Sequence, residues 1–306
     1  MRPILAVGLL ATLALTACSG QTTDSASTAS DTASASDSTD LSYDVSGVAK
    51  VDDIAAMLPD AIADKGTLIV GASTDYAPAE FRADDLNTAI GYDVDLAKAI
   101  GNVLGLEAEV QDGEFASLIP AIGSKYDVGI SSFTITPERL ENANMISYIN
   151  VGSSYAVKAG NPQSFDPENV CGQTIAVQTG TYQEEELATF SDDCTAAGDE
   201  AIEVLSYARQ SDATTNVVGG KAVAFYADST VAGYAASLTN GQLEITGGIR
   251  DAAEQGIVVN KDDMELAKAV QAATQSLMDD GTWGRILDAW GVEDAALTTA
   301  ELNPKA

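Results

Sequence analysis

Gly91-Tyr92-Asp93-Val94-Asp95-Leu96-Ala97-Lys98-Ala99-Ile100-Gly101 reads as the opening of a helix. Leu96, Ile100 and Val103 fall on one face, while Asp93 and Asp95 lie in the first turn, where the helix dipole favours carboxylates. Just upstream, Gly66-Thr67-Leu68-Ile69-Val70-Gly71-Ala72 is a short apolar run bounded by glycines, which suits a buried strand. The loop between them, Ser73 to Phe81, carries Tyr76 and Pro78. Strand, loop and helix in this order make one unit of an α/β layer.

The alternation continues in both directions. Val51 to Ala63 reads as a short amphipathic helix interrupted by Pro59. Leu118 to Ile122 predicts a short helix, Tyr126 to Ile130 a strand, Pro137 to Asn142 a short helix and Ser154 to Lys158 a strand. Thr174 to Gln178 and Ala222 to Tyr226 read as further strands, and Asp228 to Ser237 as a helix. Near the C-terminus, Leu266, Val270, Ala273 and Leu277 are helically spaced, as are Trp283, Ile286, Leu287 and Trp290. Both sets read as core stripes. No internal repeat of fixed period is present, residues 51–306 suffice for two lobes, and the alternation predicts largely parallel sheets.

The N-terminus points to a compartment. Arg2 supplies a positive charge and Ile4 to Leu15 an apolar run too short for the roughly 20 residues that span a bilayer. Leu15-Thr16-Ala17-Cys18 resembles the lipobox of a bacterial lipoprotein. That resemblance implies a signal peptide over 1–17, lipidation at Cys18 and a protein anchored on the extracytoplasmic side of the cell membrane. Residues 18–46 are almost entirely Ser, Thr, Ala, Asp, Gly and Gln, with spread acids and no Lys or Arg, which predicts a disordered, solvated spacer.

Composition excludes several functions. There are 46 acidic against 15 basic residues, a formal net charge of −31 and no histidine. So acidic a chain is a poor partner for nucleic acid, and contact with the membrane is expected through the lipid anchor only. Without histidine there is no Ser-His-Asp or Cys-His triad and no usual zinc site; no metal or other cofactor is expected. Of the 3 cysteines, Cys171 and Cys194 remain once Cys18 is lipidated, and an even pair in a secreted domain reads as a disulfide.

The decisive stretch does not stand alone. Tyr76-Ala77-Pro78, Phe115-Ala116-Ser117-Leu118-Ile119-Pro120-Ala121, Ser131-Ser132-Phe133-Thr134-Ile135-Thr136-Pro137-Glu138-Arg139, Thr179-Gly180-Thr181, Ala227-Asp228-Ser229 and Asp280-Gly281-Thr282-Trp283 follow at characteristic separations. Together with residues 91–101 they resemble the family 3 solute-binding proteins of ABC transporters, the polar amino-acid receptors, over about residues 64–291. The resemblance implies an α/β, two-lobe periplasmic-binding-protein-like fold of type II, its ligand cleft lying between lobes joined by two crossover strands. The crossings are expected near 153–157 and 250–257, with lobe 1 formed by 47–153 and 255–306 and lobe 2 by 154–254. The implied function is capture of a free polar amino acid by a monomer and its delivery to an ABC permease. The ATPase is a separate subunit, since no Gly-Lys-Ser/Thr phosphate loop occurs here.

Residue by residue, the resemblance implies a ligand site of Tyr76, Phe115, Ser131, Ser132, Thr134, Arg139, Gly180, Thr181 and Asp228. Arg139 suits the ligand carboxylate because its planar fork matches two oxygens. Thr134 and Thr181 add backbone N–H groups, the latter in a Gly180 turn at a helix N-terminus, and Ser132 is a further polar contact. Asp228 suits the ammonium, and Tyr76 and Phe115 form apolar walls. Taken singly, Arg139 reads as a surface partner of Glu138 or Glu141, Asp228 as a helix N-cap, and the aromatics as core. Tyr182 and Gln183 stand at the expected pocket edge. Asp75, Glu80 and Glu184 make that edge acidic, favouring a neutral polar or cationic side chain. Two other classes share the fold: a sensing adaptor, and a cyclohexadienyl dehydratase-like enzyme using Glu80 or Glu184 as acid or base.

Overall fold

The computed structural model describes residues 42–305; the signal segment, Cys18 and most of the spacer lie outside them. Two short helices, α1 (Asp52–Ala55) and α2 (Asp60–Lys65), flank Pro59 as expected and lead into β1 (Thr67–Ala72). A small hairpin of β2 (Phe81–Arg82) and β3 (Ala89–Ile90) precedes α3 (Tyr92–Leu104) and β4 (Glu107–Asp112). Then come α4 (Phe115–Ala121), β5 (Val128–Gly129), α5 (Pro137–Asn142) and the long β6 (Ala143–Lys158). The next segment holds β7 (Thr174–Gln178), α6 (Tyr182–Ala197), β8 (Glu203–Tyr207), α7 (Gln210–Val218), β9 (Ala224–Asp228) and α8 (Ser229–Leu238). The chain returns along β10 (Leu243–Asn260) to α9 (Met264–Asp279), α10 (Thr282–Ala289) and a 3₁₀ turn at Glu293–Ala295.

Eight strands form one sheet in the order β4-β1-β5-β10-β6-β9-β7-β8. The sheet is mixed, which corrects the expectation of largely parallel pairing. β4/β1/β5 and β9/β7/β8 are parallel, but β5/β10, β10/β6 and β6/β9 are antiparallel. The reason is the return path: a chain that leaves one lobe on β6 and comes back on β10 must run the two side by side in opposite directions. β6 has 16 residues and β10 has 18, so each belongs to both lobes. Their pairing shifts register between Thr246 and Arg250, between Arg250 and Ala253, and between Gln255 and Gly256. Such irregularities bend a strand locally.

Each end of the sheet is covered by its own helices. α3, α9 and α10 pack together beside β1 and β4; α6 and α7 cover β7 and β8. The predicted stripes are core: Leu96, Ile100, Val103, Leu266, Val270, Ala273, Leu277, Trp283, Ile286 and Leu287 are buried in one cluster. Burial of each large apolar side chain contributes about 1.5–3 kcal/mol. A second cluster around Tyr155, Ile175, Val177, Leu187 and Tyr226 fills the other face of the second lobe.

Gly91 explains why the decisive stretch begins as it does. Its φ is +129°, and a Cβ there would lie 2.1 Å from the Ala79 carbonyl oxygen. Only glycine permits this approach, which brings the Tyr76 loop against the start of α3. Asp93 and Asp95 do more than complement the helix dipole. Asp95 accepts from the Trp290 indole N–H and the Tyr43 amide, both at 2.9 Å. Asp93 accepts from the Tyr148 hydroxyl and the Ser132 amide, also at 2.9 Å.

Cys171 and Cys194 are joined by a disulfide, with Cα atoms 5.6 Å apart. It ties the segment before β7 to the last turn of α6. Among the described residues no helix is long and apolar enough to cross a membrane.

Candidate ligand-binding site

The two lobes face each other across a closed cleft. Tyr76, Phe115, Ser132, Thr134, Arg139, Thr181, Tyr182, Gln183 and Asp228 line a narrow space between them, with a cavity volume of about 10 Å³ in this tightly closed form. A wider surface groove of about 700 Å³ runs past Tyr234, Ile245, Ile249 and Trp290. Its mostly apolar walls offer no opposed pair of charges, so the small enclosed space is the better match for a zwitterion.

Arg139 comes from α5, a helix started by Thr136, whose hydroxyl caps the Arg139 amide at 3.2 Å, and by Pro137 in the first turn. The side chain turns inward and is only 8% exposed. Its two terminal nitrogens donate to the carbonyls of Thr134 at 2.8 Å and Gly180 at 3.0 Å, so it reaches across the cleft. The Phe115 ring lies 5.7 Å from the guanidinium carbon and stacks on Phe133 at 4.9 Å. Burial pulls the Arg139 pKa down; the fields of Glu185 and Asp228 oppose this.

Asp228 ends β9 and stands at the N-cap of α8, but its side chain makes no capping bond. It is 3% exposed. Gln183 donates to one carboxylate oxygen at 2.8 Å and Gln255 to the other at 2.7 Å. The Asp228 amide donates to the Tyr76 hydroxyl of the opposite lobe at 3.2 Å. Burial raises the Asp228 pKa to about 6, with the bonds from Gln255 and Gln183 and the charge of Arg139 holding it from rising further. The site therefore places a cation from the first lobe and an anion from the second around one small space, with aromatic walls at Tyr76 and Phe115.

This chain matches the sequence profile of the bacterial extracellular solute-binding proteins, family 3, over residues 68–293. It belongs to that family. It is 36% identical over 255 residues to the arginine-binding protein ArgT of Corynebacterium glutamicum, covering 83% of each chain. The crystal structure of a mutant arginine-binding protein, ArgBP from T. maritima, superposes with a TM-score of 0.69 at 32% identity, covering 76% of this chain and 98% of that one. The ancestral amino acid-binding protein AncCDT-1, described as a precursor of cyclohexadienyl dehydratase, gives 0.68 at 29% identity over 76% and 98% of the two chains.

In this family 3 protein the residues expected at the site fall into two groups. Tyr76, Phe115, Ser132, Thr134, Arg139, Thr181 and Asp228 line the enclosed space, and Tyr182 and Gln183 join them. Thr181 N-caps α6, its hydroxyl accepting from the Glu184 amide at 3.2 Å. Gly180 contributes its carbonyl to Arg139. Ser131 does not line the space. Its hydroxyl donates to Glu80 and accepts from the Ser73 amide at 3.0 Å, behind the wall.

The three acids expected at the pocket edge are engaged by the protein. Asp75 accepts from the Ser211 amide at 2.9 Å, and Glu184 from the Gly180 amide at 2.6 Å and from the Ser206 hydroxyl. Glu80 is fully buried beside Asp93. Burial and the neighbouring Asp93 charge push Glu80 well above the carboxylate range, while burial raises Asp93 to about 7. Two buried carboxyls this close share a proton, because both cannot ionise.

Sequence reasoning missed the clamp at the cleft mouth. Arg209 forks onto Asp112 at 2.9 and 2.6 Å, and Asp112 also accepts from the Thr74 amide at 3.0 Å and hydroxyl at 2.7 Å. Neither residue lies in a matched motif, and no local pattern signals a pair separated by nearly a hundred positions. Gln183 and Gln255, which hold Asp228, come from α6 and β10, and Gln255 reaches it from the strand that returns to the first lobe.

Proposed function

We propose that this protein is the extracytoplasmic receptor of an ABC importer that captures a free polar amino acid and hands it to the permease, whose ATPase is a separate subunit. The observation that carries this reading is the pair of buried opposite charges, Arg139 and Asp228, brought from different lobes to one enclosed space. An α-amino acid carries a carboxylate and an ammonium, and each needs a partner when removed from water. Arg139, with the amides near Thr134 and Thr181, receives the carboxylate; Asp228 receives the ammonium. Tyr76 and Phe115 flank the side chain, Ser132 lines the head-group end, and Gly180 and Ser131 support the walls. Because contacts come from both lobes, the ligand favours the closed form, with hinge bending along β6 and β10. The lobes are read as 47–153 with 255–306, and 154–254.

The role is capture and release rather than bond chemistry. The relatives named above are binding proteins, and the neighbour connected with a dehydratase is itself described as an amino acid-binding protein. Relatives named as arginine-binding make arginine the first ligand to test. A signal peptide over 1–17, lipidation at Cys18 and the spacer over 18–46 would tether a monomeric receptor to the outer face of the cell membrane.

Titration calorimetry of the purified protein against free amino acids tests the reading. Arg139→Ala should weaken binding by about 3–5 kcal/mol, roughly 200- to 5,000-fold, since the ligand carboxylate is then buried without its partner. Unchanged affinity in a folded Arg139→Ala protein removes this residue from the site.

A further inference from the structure

Behind the wall that carries Tyr76 and Ser132 sits a pair of carboxyls that does not line the enclosed space. Glu80 is 0% exposed and Asp93 1%. Glu80 accepts from the Ser131 hydroxyl through Oε1, and Asp93 accepts from the Ser132 amide and the Tyr148 hydroxyl through Oδ2. That leaves Glu80 Oε2 and Asp93 Oδ1, which no N–H or other hydroxyl of the described residues reaches. Neither carboxyl belongs to an ion pair among the described residues. One proton between two adjacent buried acids satisfies an oxygen of each. Burial and then the Asp93 charge raise Glu80, and the hydrogen bond between the carboxyls raises it further. Burial raises Asp93 to about 7, while that same bond lowers it, so Glu80 is the donor and Asp93 the acceptor.

The pair lies where the segments that build the first lobe's side of the site converge. Glu80 closes the loop that carries Tyr76: the Tyr76 amide donates to the Glu80 carbonyl at 2.8 Å, and the Glu80 amide to the Tyr76 carbonyl at 3.2 Å. Asp93 stands in the first turn of α3, its amide donating to the Ala79 carbonyl at 2.9 Å. Ser132 has φ +51°, a conformation that a residue with a Cβ keeps only when its surroundings hold it, and the Asp93 carboxylate holds its amide. The ionisable groups facing the pair are Asp228 at the end of β9, Tyr76 on the loop, Tyr92 on α3 and Tyr148 on β6. Asp228 adds repulsion, and burial pushes all three tyrosines well above their ordinary range, so they stay neutral.

We infer that Glu80 and Asp93 are positioning residues for ligand binding: a proton shared between them ties the Tyr76 loop to the Ser132 turn and so sets the first lobe's half of the site. The inference rests on the amino-acid reading of that site. Without the proton the two carboxylates repel each other, and the loop and the turn are driven apart. An amide in place of either acid keeps the bridge without a proton. In Glu80→Gln the new N–H donates to Asp93 while the amide oxygen accepts from Ser131; in Asp93→Asn the amide oxygen accepts from Ser132 and Tyr148 while the N–H donates to Glu80. Glu80→Met keeps the length of the side chain and abolishes the bridge.

Infrared spectroscopy at about pH 8, where an ordinary carboxyl is ionised, and calorimetry with the free amino acid that binds the native protein most tightly test this. The native protein should show the carbonyl stretch of a protonated carboxyl, and the band should be lost in Glu80→Gln and in Asp93→Asn. Both amide variants should bind within about threefold of the native protein, whereas Glu80→Met should lose about 10- to 100-fold, as when a buried hydrogen-bond partner is deleted. Absence of the band from the native protein overturns the inference. So does native affinity in a folded Glu80→Met protein, or a loss in the amide variants as large as in Glu80→Met. Should Glu80→Met fail to fold, the pH profile decides: from about pH 8 towards 10 native affinity should fall faster than that of Glu80→Gln, because only the acid can lose the bridging proton. The ligand's own ammonium titrates alike in both, and parallel curves overturn the inference. All of these failures leave the amino-acid reading standing, whereas a native protein that binds no free amino acid sinks both.

Discussion

Arg209 and Asp112 form a latch whose removal should loosen closure without touching the ligand. The guanidinium forks onto the carboxylate at 2.9 and 2.6 Å, Thr74 fixes that carboxylate from its own lobe with two further bonds, and Asp75 holds the Ser211 amide one turn away. Unit charges about 4 Å apart attract by about 4 kcal/mol at an effective dielectric of about 20. The two side chains are 33% and 29% exposed, so water screens part of this and ordering costs more of it. A net contribution of about 1–2 kcal/mol remains for a bidentate, half-buried pair. Arg209→Ala should therefore lower the closed population and weaken every ligand by about 5- to 30-fold, mostly through faster dissociation. Stopped-flow dissociation and calorimetry measure this, and the gap from the native protein should narrow as salt is raised, since partly exposed charges are screened. An Arg209→Ala protein with native Kd and dissociation rate would refute the latch. So would a double-mutant cycle with Asp112→Ala showing no coupling.

Other outcomes follow from the same geometry. Asp228, raised to about 6 by burial, must be ionised to meet an ammonium, so affinity should fall about tenfold per unit of pH below 6, and this dependence should vanish in Asp228→Asn; a flat profile from pH 8 to 5 in the native protein counts against the role. Folding stability should move the opposite way over that range. Burial raises Asp93 and Glu186 to about 7, so the folded state holds protons the unfolded chain has released, and stability rises as pH falls from 8 towards 5. Below about pH 4 the sign reverses as Asp112, held at about 2 because the Arg209 and Thr74 bonds outweigh its burial, is protonated in the unfolded chain first. Calorimetric Tm values read both limbs at about 2–4 °C per kcal/mol, and a Tm at pH 5.5 below that at pH 8 would contradict the first. Gly180→Ala should weaken binding more than tenfold, because Gly180 has φ +81° and an added Cβ would stand 2.8 Å from the Ala116 side chain across the cleft. Native affinity in that variant would show that the lobes need not approach so closely.

What the sequence determined by itself is local. The apolar run at β1, the Gly91 start of α3 and the C-terminal stripes are periodic patterns that bury one face, so their element type follows from the residues alone. The edge strands β4 (EAEVQD) and β8 (EVLSY) escaped notice because a strand at the margin of a sheet keeps polar, half-exposed side chains. Helix α6 (YQEEELATFSDDCTAA) carries so many acids that its apolar stripe is faint. β5 is shorter and β6 much longer than their apolar runs indicate, since strand length is set by the neighbours that supply hydrogen bonds. The lining residues Tyr76, Phe115, Ser132, Thr134, Arg139, Thr181 and Asp228 were legible because they lie in spaced motifs. Tertiary structure alone decided their partners. Gln183 and Gln255 grip Asp228, Glu80 meets Asp93, Arg209 reaches Asp112, and Ser131 turns behind the wall, all through contacts between segments remote in the chain. Gln183 on Asp228, Glu80 beside Asp93 and Ser131 on Glu80 depend on packing within one lobe, whereas Arg209 meets Asp112 and Gln255 meets Asp228 only where β6 and β10 carry the two lobes together, and no window of sequence contains both sides of a cleft.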